Sequence, residues 1–282
     1  MSRIAYVNGR YVPHRAARVH VEDRGYQFAD GIYEVVAVRR GHLVDEVPHL
    51  DRLDRSLGEM RMAAPMGRAA LRHAMREVVR RNRVADGIVY MQVTRGVAPR
   101  GHAFPKAVAP ALVITAKRLA PNYAQMEKGI AIVTQPDIRW KRRDIKTINL
   151  TANVLAKQQA LDAGAYDAWL VDEAGMVNEG TASNAWIVTK AKELVTHAPD
   201  YSILNGITRV AVKQLAEKEG YRFVERPFSR AEAIAAEEAF ITGTTSWVTP
   251  VISIDGKMVG SGKPGPLTRA LQRLYEAHAD EP

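Results

Sequence analysis

The chain has 282 residues, a formal net charge of +9 and 46% hydrophobic residues. This length is too great for a single small hydrophobic core and suits one large domain or two medium domains. The apolar fraction argues against intrinsic disorder. Because the sequence has no cysteine, it offers neither a disulfide framework nor a thiolate site. It also lacks a run of about 18 uncharged apolar residues and an apolar signal region, so we expect a cytoplasmic enzyme without a membrane partner.

The positive charge could indicate a nucleic-acid surface. However, the basic residues are spread along the chain instead of forming one block. Neither zinc-finger spacing nor an aromatic-rich RNA-binding pattern accompanies them. We therefore expect no nucleic acid as the main partner, and an anionic substrate or a phosphate-bearing cofactor explains part of the excess. A non-catalytic basic binding module stays open as the alternative from another functional class.

The first part of the chain predicts a strand-rich domain with two helices. Residues 4–7 and 10–12 flank Asn8-Gly9, a turn signal for a β-hairpin. Apolar residues at helical or alternating spacing predict further elements: a strand near 31–40, helices near 50–60 and 71–79, and strands at 88–94 and 111–115. Residues 119–123 look like a linker. The predicted domains are therefore 1–118 and 124–282, with Lys146 in the second.

The second part alternates between strands and helices, so that the whole chain is predicted to be a two-domain α/β protein. The predicted strands lie at 129–133, 166–171, 185–188, 193–196, 222–224, 240–242 and 248–251. The predicted helices start near residues 151, 209, 230 and 267, with Ser229 as the cap of the third. Asp255-Gly256 predicts a hairpin turn.

The basic segment 137–150 contains the candidate nucleophile, Lys146, between Ile145 and Thr147. Desolvation and the nearby cations would both favour the neutral amine, which can form a Schiff base. The alternative is a solvated basic turn, with no chemistry. Tyr33 presents a similar choice, since a tyrosine near a strand start either faces a site or is an ordinary half-buried aromatic.

Other stretches offer groups for a phosphate and for a ring nitrogen. Residues 205–209 lead into a helix N-terminus, where free N–H groups and the helix dipole favour an anion. The turn 243–246 offers three hydroxyls and a glycine. Arg52 either faces solvent or points inward to an anion. Glu179 is expected in a loop, and if directed inward it needs a partner such as a protonated pyridine nitrogen.

A reactive lysine, an acidic residue and a phosphate cup are the protein's share of pyridoxal phosphate catalysis. Metal sites and serine or cysteine nucleophiles are not predicted. No histidine pair has ligand spacing, no G-x-S-x-G occurs, and cysteine is absent. The glycine patterns of nucleotide-binding loops are missing as well.

These residues belong to motifs that occur in order over almost the whole chain. The sequence closely resembles the D-amino-acid aminotransferases of the fold-type IV pyridoxal-phosphate family. That family also includes branched-chain aminotransferases and aminodeoxychorismate lyases. The motifs that carry the resemblance lie at 22–28, 31–36, 49–53, 92–96, 100–102, 137–140, 144–146, 178–180, 206–209 and 244–246.

The resemblance implies a role for each candidate residue and a homodimeric assembly. Lys146 would form the Schiff base and carry the proton, and Glu179 would pair with the pyridinium nitrogen. Leu204 would support the cofactor ring. Phosphate contacts are implied for Arg52, Ile207, Thr208, Thr244 and Thr245. A trap for the substrate carboxylate is implied for Tyr33, Arg100 and His102, the last two reaching in from the neighbouring subunit.

The Arg100-Gly101-His102 arrangement favours D-amino acids, because the branched-chain enzymes and the lyase bind the carboxylate differently. D-alanine and 2-oxoglutarate are the usual substrate pair of the resembling enzymes. Another fold-type IV transaminase, for L-branched-chain amino acids or (R)-amines, is the alternative. The sequence departs from the family pattern in two places: Gly243 replaces a common serine, and Trp247 stands where smaller or acidic residues are common. Both departures put side-chain specificity in doubt, but not cofactor use.

Overall fold

The computed structural model of the protein describes residues 3–281. It contains two compact units. The first runs to Ala120 and includes Ile145–Asn149, and the second combines Pro121–Asp144 with Leu150–Glu281. Within residues 3–281, no helix has the length and apolar character needed to cross a membrane. Helices and sheets occur in both units, which confirms the predicted α/β class.

The first unit combines one antiparallel sheet with helices. Its strands are β1 (Ile4–Val7), β2 (Arg10–Pro13), β3 (Gly31–Arg39), β4 (His42–Leu43), β5 (Gly87–Thr94) and β6 (Ala111–Arg118). Its helices are α1 (Arg24–Phe28), α2 (Glu46–Glu59) and α3 (Arg68–Arg81), and a short 3-10 turn covers His14–Ala16. The strand order is β2-β1-β6-β5-β3-β4. The predicted β1–β2 hairpin is confirmed, since Asn8 and Gly9 both adopt the positive φ that such a tight turn requires.

The side chains of strand β3 alternate between the two faces of this sheet. Ile32, Glu34 and Val36 are buried, whereas Tyr33 and Val35 are only half-buried, as the twofold alternation of a strand requires. Helices α2 and α3 pack against the sheet, and their apolar stripes supply much of the core: Leu50, Leu53, Leu57, Leu71, Met75 and Val78. Each such side chain contributes about 1.5–3 kcal/mol on burial.

The segment that contains Lys146 groups with the first unit, in contrast to its predicted place in the C-terminal domain. Thr147 forms an isolated β-bridge with Ile32, and Ile145 is part of the core of the first unit. Hydrogen bonds from the Tyr33 amide to the Lys146 carbonyl and from the Ile148 amide to the Gly31 carbonyl measure 3.0 and 3.1 Å. These long-range contacts attach the segment to the start of β3. The division at Ala120 and Pro121 falls within the predicted linker.

The second unit has a nine-stranded mixed sheet. Its strands are β7 (Ile130–Pro136), β8 (Asp167–Val171), β9 (Val177–Gly180), β10 (Asn184–Val188), β11 (Leu194–Thr196), β12 (Phe223–Glu225), β13 (Glu238–Gly243), β14 (Trp247–Ile254) and β15 (Lys257–Met258). Its helices are α4 (Tyr123–Lys128), α5 (Thr151–Asp162), α6 (Ile207–Lys218), α7 (Arg230–Ala235) and α8 (Pro266–Asp280).

Most strand pairs of the second unit are antiparallel, but β7 pairs in parallel with both β8 and β14, and β11 pairs in parallel with β12. The path through the sheet is β12-β11-β10-β13-β14-β7-β8-β9, and β15 pairs with β14. The predicted hairpin turn at Asp255 and Gly256 is confirmed, as is the Ser229 cap of α7, which accepts a hydrogen bond from the Glu232 amide at 3.1 Å. Trp169 and Phe228 are fully buried in its core.

Several short elements were not predicted, among them α1, α4 and β9. Helix α1 lies where only a charged lead into β3 was expected, and α4 begins at the last residue of the predicted linker. Strand β9 lies in a stretch interpreted as a loop. Each has six residues or fewer, and so few residues give too weak a periodic signal to predict an element.

Candidate active site

In the first unit, Lys146 lies beside Tyr33. The Lys146 ammonium nitrogen is 4.3 Å from the centroid of the Tyr33 ring. The hydrogen bond from the Tyr33 amide to the Lys146 carbonyl fixes the two backbones relative to each other. The lysine side chain therefore extends from a segment whose backbone is held in place. Lys146 is half-buried, and its ring contact lies within the range of a cation–π interaction. Its role as the nucleophile stays a prediction.

Two further polar side chains share the face of the sheet that carries Tyr33, and the sequence did not single them out. Tyr90 packs against Tyr33 with ring centroids 5.6 Å apart, and Gln92 lies opposite Tyr33 in the register of β3 and β5. The Tyr90 hydroxyl donates to the side-chain oxygen Oε1 of Gln92 at 2.7 Å. Burial, followed by the neighbouring Tyr33, raises the pKa of Tyr90 to about 12. The hydroxyl therefore remains a neutral hydrogen-bond donor at physiological pH.

Arg52 is buried and points inward, and its anion within the chain is Glu34. The guanidinium donates from Nε to Glu34 Oε1 at 2.7 Å and from Nη2 to Oε2 at 2.8 Å. His49, one turn earlier on α2, contacts Glu34 Oε2 through Nδ1 at 2.8 Å. Burial alone would raise the pKa of Glu34, but Arg52 and His49 lower it to about 2. Glu34 therefore fixes the direction of the arginine, and the phosphate role of Arg52 stays a prediction.

Glu179 lies in strand β9 and not in a loop, and its carboxylate is buried. Oε1 accepts from Arg139 Nη1 at 2.5 Å. Oε2 accepts from Asn184 Nδ2 and from the Leu204 amide, both at 3.1 Å. A carboxylate held by a cation and two neutral donors stays ionised and keeps its orientation. The expectation that an inward Glu179 needs a partner is met inside the second unit, and its pairing with a ring nitrogen stays a prediction.

The three arginines of segment 137–143 form ion pairs with carboxylates. Arg139 donates two hydrogen bonds, of 2.9 and 2.8 Å, to the Asp137 carboxylate, and Arg143 Nε lies 3.2 Å from the same carboxylate. Arg142 binds Asp144 at 2.9 and 3.0 Å. Burial disfavours charge on Arg139, but Glu179 and Asp137 raise its pKa above the usual range. Most of the cationic run is therefore an ion-pair network, which includes the partner of Glu179.

Leu204 and the start of α6 adjoin Glu179 through Asn184. Asn184 Nδ2 donates both to Glu179 and, at 2.9 Å, to the Leu204 carbonyl. A Cβ on Gly206, the N-cap of α6, would lie only 2.1 Å from Asn184 Oδ1, so glycine is required for this approach. Among residues 3–281, no side chain caps this helix start. The amides of Ile207 and Thr208 are therefore among the first-turn N–H groups that a helix leaves for an anion.

The turn between β13 and β14 contains Thr244 and Thr245, of which the first is half-buried and the second exposed. The Ser246 hydroxyl is buried and has no hydrogen-bond partner among residues 3–281. A Cβ on Gly243 would lie 2.8 Å from this hydroxyl. The absence of a side chain at 243 thus leaves space that Ser246 occupies, and the buried oxygen indicates a site for a polar group that the chain does not supply.

Trp247 explains how this turn connects with α6. Its indole packs edge-on against Tyr275 of α8 at 5.7 Å, and the Tyr275 hydroxyl lies 3.3 Å from Thr208 Oγ1. Trp247 is buried with a φ of 53°, a conformation that costs a bulky residue about 1–3 kcal/mol. The packing against Tyr275 offsets that strain. The second departure from the family pattern therefore braces the hydroxyl turn against the helix start.

Arg100 and His102 lie together in the loop between β5 and β6, and both are exposed. Each rests on Phe28 of α1: the Arg100 guanidinium lies 4.7 Å from the ring centroid, and the His102 ring lies 5.6 Å away. The structure thus brings these two predicted residues together, while Tyr33 lies on the sheet beside Lys146. Their shared role in binding a carboxylate stays a prediction.

Seen by itself, the second unit contains an ordered series of groups from Glu179 through Leu204 to the start of α6. A buried carboxylate suits a protonated ring nitrogen, an apolar side chain suits a ring face, and uncapped helix amides suit a phosphate. The buried Ser246 hydroxyl, in the turn that contains Gly243, is a further donor of this unit. These residues of the second unit therefore fit a phosphorylated pyridine.

Sequence reasoning missed several residues that hold this arrangement: Glu34, His49, Tyr90, Gln92, Arg139, Asn184, Ser246 and Tyr275. Some were named only as members of motifs. Their roles depend on contacts between distant parts of the chain, so no local spacing could have indicated them.

Comparison with known proteins gives concordant results. The family described as amino-transferase class IV matches residues 31–254. The D-alanine aminotransferase of Bacillus licheniformis is 41% identical over 95% of this chain and 94% of its own. The Staphylococcus haemolyticus D-alanine aminotransferase is 39% identical over 98% and 97%.

Among solved structures, the Escherichia coli branched-chain amino acid aminotransferase superposes with a TM-score of 0.90 at 26% identity, covering 97% of this chain and 93% of that one. The T.th. branched-chain enzyme with pyridoxamine 5'-phosphate gives a TM-score of 0.90 at 27% identity, covering 100% and 96%. Class IV aminotransferases use pyridoxal 5'-phosphate, which is therefore the cofactor of this chain. The chain belongs to the class IV aminotransferases.

Proposed function

We propose that the protein is a D-amino-acid transaminase, which moves the amino group of a D-amino acid such as D-alanine to a 2-oxo acid such as 2-oxoglutarate. The observation that carries this proposal is the similarity to D-alanine aminotransferases, at 39–41% identity over nearly the whole chain. The Arg100-Gly101-His102 motif supports the same substrate class. A guanidinium fork binds a carboxylate through two parallel hydrogen bonds and so fixes which face of the substrate Cα is exposed.

Bound pyridoxal phosphate supplies the carbonyl and the electron sink for amino transfer. We propose that Lys146 Nζ attaches the cofactor covalently and later carries the proton to and from the substrate Cα. Glu179, kept ionised by Arg139, holds a proton on the ring nitrogen. The Leu204 side chain supports the ring.

We propose that the phosphate is bound by the Ile207 and Thr208 amides, by the hydroxyls of Thr244 and Thr245, and by Arg52. Three observations support this assignment: the helix start has no side-chain cap, the hydroxyl turn is braced against it through Trp247 and Tyr275, and Glu34 orients Arg52. Tyr33, Arg100 and His102 bind the substrate carboxylate in this scheme.

The first experiment uses the colour of the purified protein. The wild type is expected to be yellow, and the addition of D-alanine alone should convert the cofactor to its amino form, with the visible absorbance lost and pyruvate released. Lys146→Ala should lose turnover, because attachment and proton transfer disappear together. Lys128→Ala, at the end of α4, is the control and should behave like the wild type. Turnover at the normal rate by Lys146→Ala would contradict the mechanism.

The second candidate is an L-branched-chain aminotransferase, and the similarity to branched-chain structures favours it. The sequence identity to those enzymes is only 26–27%, compared with 39–41% for the D-alanine enzymes. Steady-state assays with D-alanine, L-leucine and an (R)-amine distinguish the candidates. A higher kcat/KM for L-leucine than for D-alanine would reverse the assignment.

We propose that the active assembly is a homodimer, in which Arg100 and His102 serve the partner's cofactor. The resemblance and the exposed position of both side chains support it. Co-expression of Lys146→Ala with Arg100→Ala tests the exchange. In mixed dimers, one site has both an intact lysine and an intact partner arginine, so activity should reappear. Activity no higher than that of the separate variants would contradict the exchange. A cytoplasmic location stays a prediction from the sequence.

A further inference from the structure

The loop that carries Arg100 and His102 is long for a connection between paired strands. Strands β5 and β6 are antiparallel neighbours, yet residues 95–110 separate them without forming a strand or helix. Hairpins usually need 2–5 residues, and ordered loops beyond about 12–15 are typically functional. Such a loop has a large conformational entropy to lose, so its binding geometry needs an external support.

The backbone supports the beginning of the loop. The Arg24 amide donates to the Gly96 carbonyl at 2.9 Å, the Ala98 amide donates to the Glu22 carbonyl at 3.3 Å, and Asp23 forms a β-bridge with Val97. Residues 22–24 therefore pair with residues 96–98. This pairing places α1, which follows directly, beside the rest of the loop.

Arg24 extends the support to the middle of the loop through its side chain. Its guanidinium donates from Nη1 to the Gly101 carbonyl at 2.6 Å, and from Nε to Asp30 at 2.8 Å. Asp30 also accepts from Arg95 at 2.8 and 3.0 Å. Burial alone would raise the pKa of Asp30, but the hydrogen bonds from Arg95 and Arg24 lower it. One buried carboxylate thus holds both arginines in place.

Phe28 supplies the surface on which both proposed carboxylate-binding side chains rest. The Arg24, Arg100 and His102 side chains lie 4.9, 4.7 and 5.6 Å from its ring centroid. These distances fit cation–π and edge-on aromatic contacts. Two exposed side chains of a long loop are therefore restrained by one ring that belongs to a helix.

We propose that Arg24 and Phe28 are positioning residues that preorganise Arg100 and His102 for the substrate carboxylate. Arg24 fixes the carbonyl of the intervening glycine, and Phe28 restricts the rotamers of the two flanking side chains. The loop therefore loses its conformational entropy when the protein folds, and not when the substrate binds. This inference rests on the proposed function, and it extends it by explaining what holds the recognition loop.

The test compares steady-state kinetics of the holoenzymes with D-alanine and 2-oxoglutarate. Phe28→Leu keeps the apolar volume and removes the ring, and it should raise KM for D-alanine about tenfold with kcat within about twofold, which is the size expected for one lost restraining contact. Phe28→Tyr keeps the ring and should restore a KM near that of the wild type. Arg24→Ala should also raise KM. Arg18→Ala removes an exposed arginine of the same unit and should change nothing.

The cofactor dissociation constant and the melting temperature are measured on the same samples. In Phe28→Leu the cofactor should bind as in the wild type, since the effect is confined to the substrate loop. If Arg24→Ala does not fold, the two Phe28 variants decide the outcome. An unchanged KM for D-alanine in folded Phe28→Leu would overturn this inference but not the proposed function. A loss of cofactor affinity and of kcat as large as the rise in KM would have the same consequence. A wild type that does not respond to D-alanine would overturn the proposed function and this inference with it.

Discussion

The buried carboxylate of Glu34 provides the sharpest test of the energetics, through the variant Glu34→Gln. Glu34 lies on β3, is fully buried, and accepts three hydrogen bonds of 2.7–2.8 Å from Arg52 and His49 of α2. Glutamine has nearly the same shape but carries no charge. Its amide group would also place donors against the donors of Arg52, so we expect a large loss of stability.

The magnitude follows from the carboxyl group's pKa, which falls from 4.5 to about 2 in the folded protein. This difference corresponds to about 3 kcal/mol of stability at neutral pH, similar to the ~3–5 kcal/mol for breaking a buried pair. Because the pKa is depressed, the contribution is present above pH ~4.5 and is lost as the pH falls toward ~2. Burial lowers the pKa of His49 below 6.5 despite the neighbouring Glu34. Acidification below about pH 6.5 therefore protonates this histidine preferentially in the unfolded protein, which also lowers the stability of the fold.

Urea unfolding of the cofactor-free proteins at pH 7 and pH 4 measures this difference. Removing the cofactor prevents ligand binding from adding to stability. Glu34→Gln should be about 3 kcal/mol less stable than the wild type at pH 7, and the gap should narrow by about 1 kcal/mol at pH 4. The control is Glu77→Gln on α3, where Arg80 and Arg81 lower the carboxyl pKa to about 2 as well, but both arginines are exposed to solvent.

Solvent screens the Glu77 pairs, so this variant should be destabilised far less than Glu34→Gln. Equal losses in the two variants would refute the reasoning that burial makes the Glu34 cluster strong. A gap between Glu34→Gln and the wild type that stays constant from pH 7 to pH 4 would also refute it, because the titration of the carboxyl group would then contribute nothing.

Three other predictions concern the site. Arg100→Ala should raise KM for D-alanine about a hundredfold and leave the cofactor dissociation constant unchanged, because a charge-assisted contact is lost; an unchanged KM would remove the carboxylate assignment. Gly206→Ala should weaken cofactor binding and lower stability by about 1–3 kcal/mol, since its Cβ would meet Asn184 Oδ1 at 2.1 Å; fluorescence titration with pyridoxal phosphate checks this, and wild-type affinity would contradict it. Trp247→Gly should relieve the strain at φ 53° but lose the packing on Tyr275, for a net loss of about 2 kcal/mol; a higher melting temperature would show that strain dominates.

Local signals in the sequence predicted much of the secondary structure. The turn residues at Asn8-Gly9 and Asp255-Gly256 require positive φ, and both hairpins are present. The apolar stripes of α2 and α3 repeat every three or four residues, so burial of one face was readable from spacing alone. These elements are determined by residues within a turn or two of each other.

The sequence could not predict which partners the buried charges find. Arg52 was expected either to face solvent or to meet an anion, and the structure pairs it with Glu34, 18 residues away. Arg139 was named only as part of the motif at 137–140, and it binds Glu179, 40 residues away. Ion pairs over such distances leave no periodic trace, because nothing in the local backbone requires them.

The sequence by itself determined the family, the cofactor and the identity of the candidate residues, because ordered motifs along nearly the whole chain carry that information. Only the tertiary structure decided that Ile145–Asn149 groups with the first unit, that Glu179 lies in a strand, and that Phe28 supports both Arg100 and His102. The physical reason is that side-chain charges and rings are positioned by the packing of distant segments, whereas a sequence pattern records only which groups are available and how they repeat along one element.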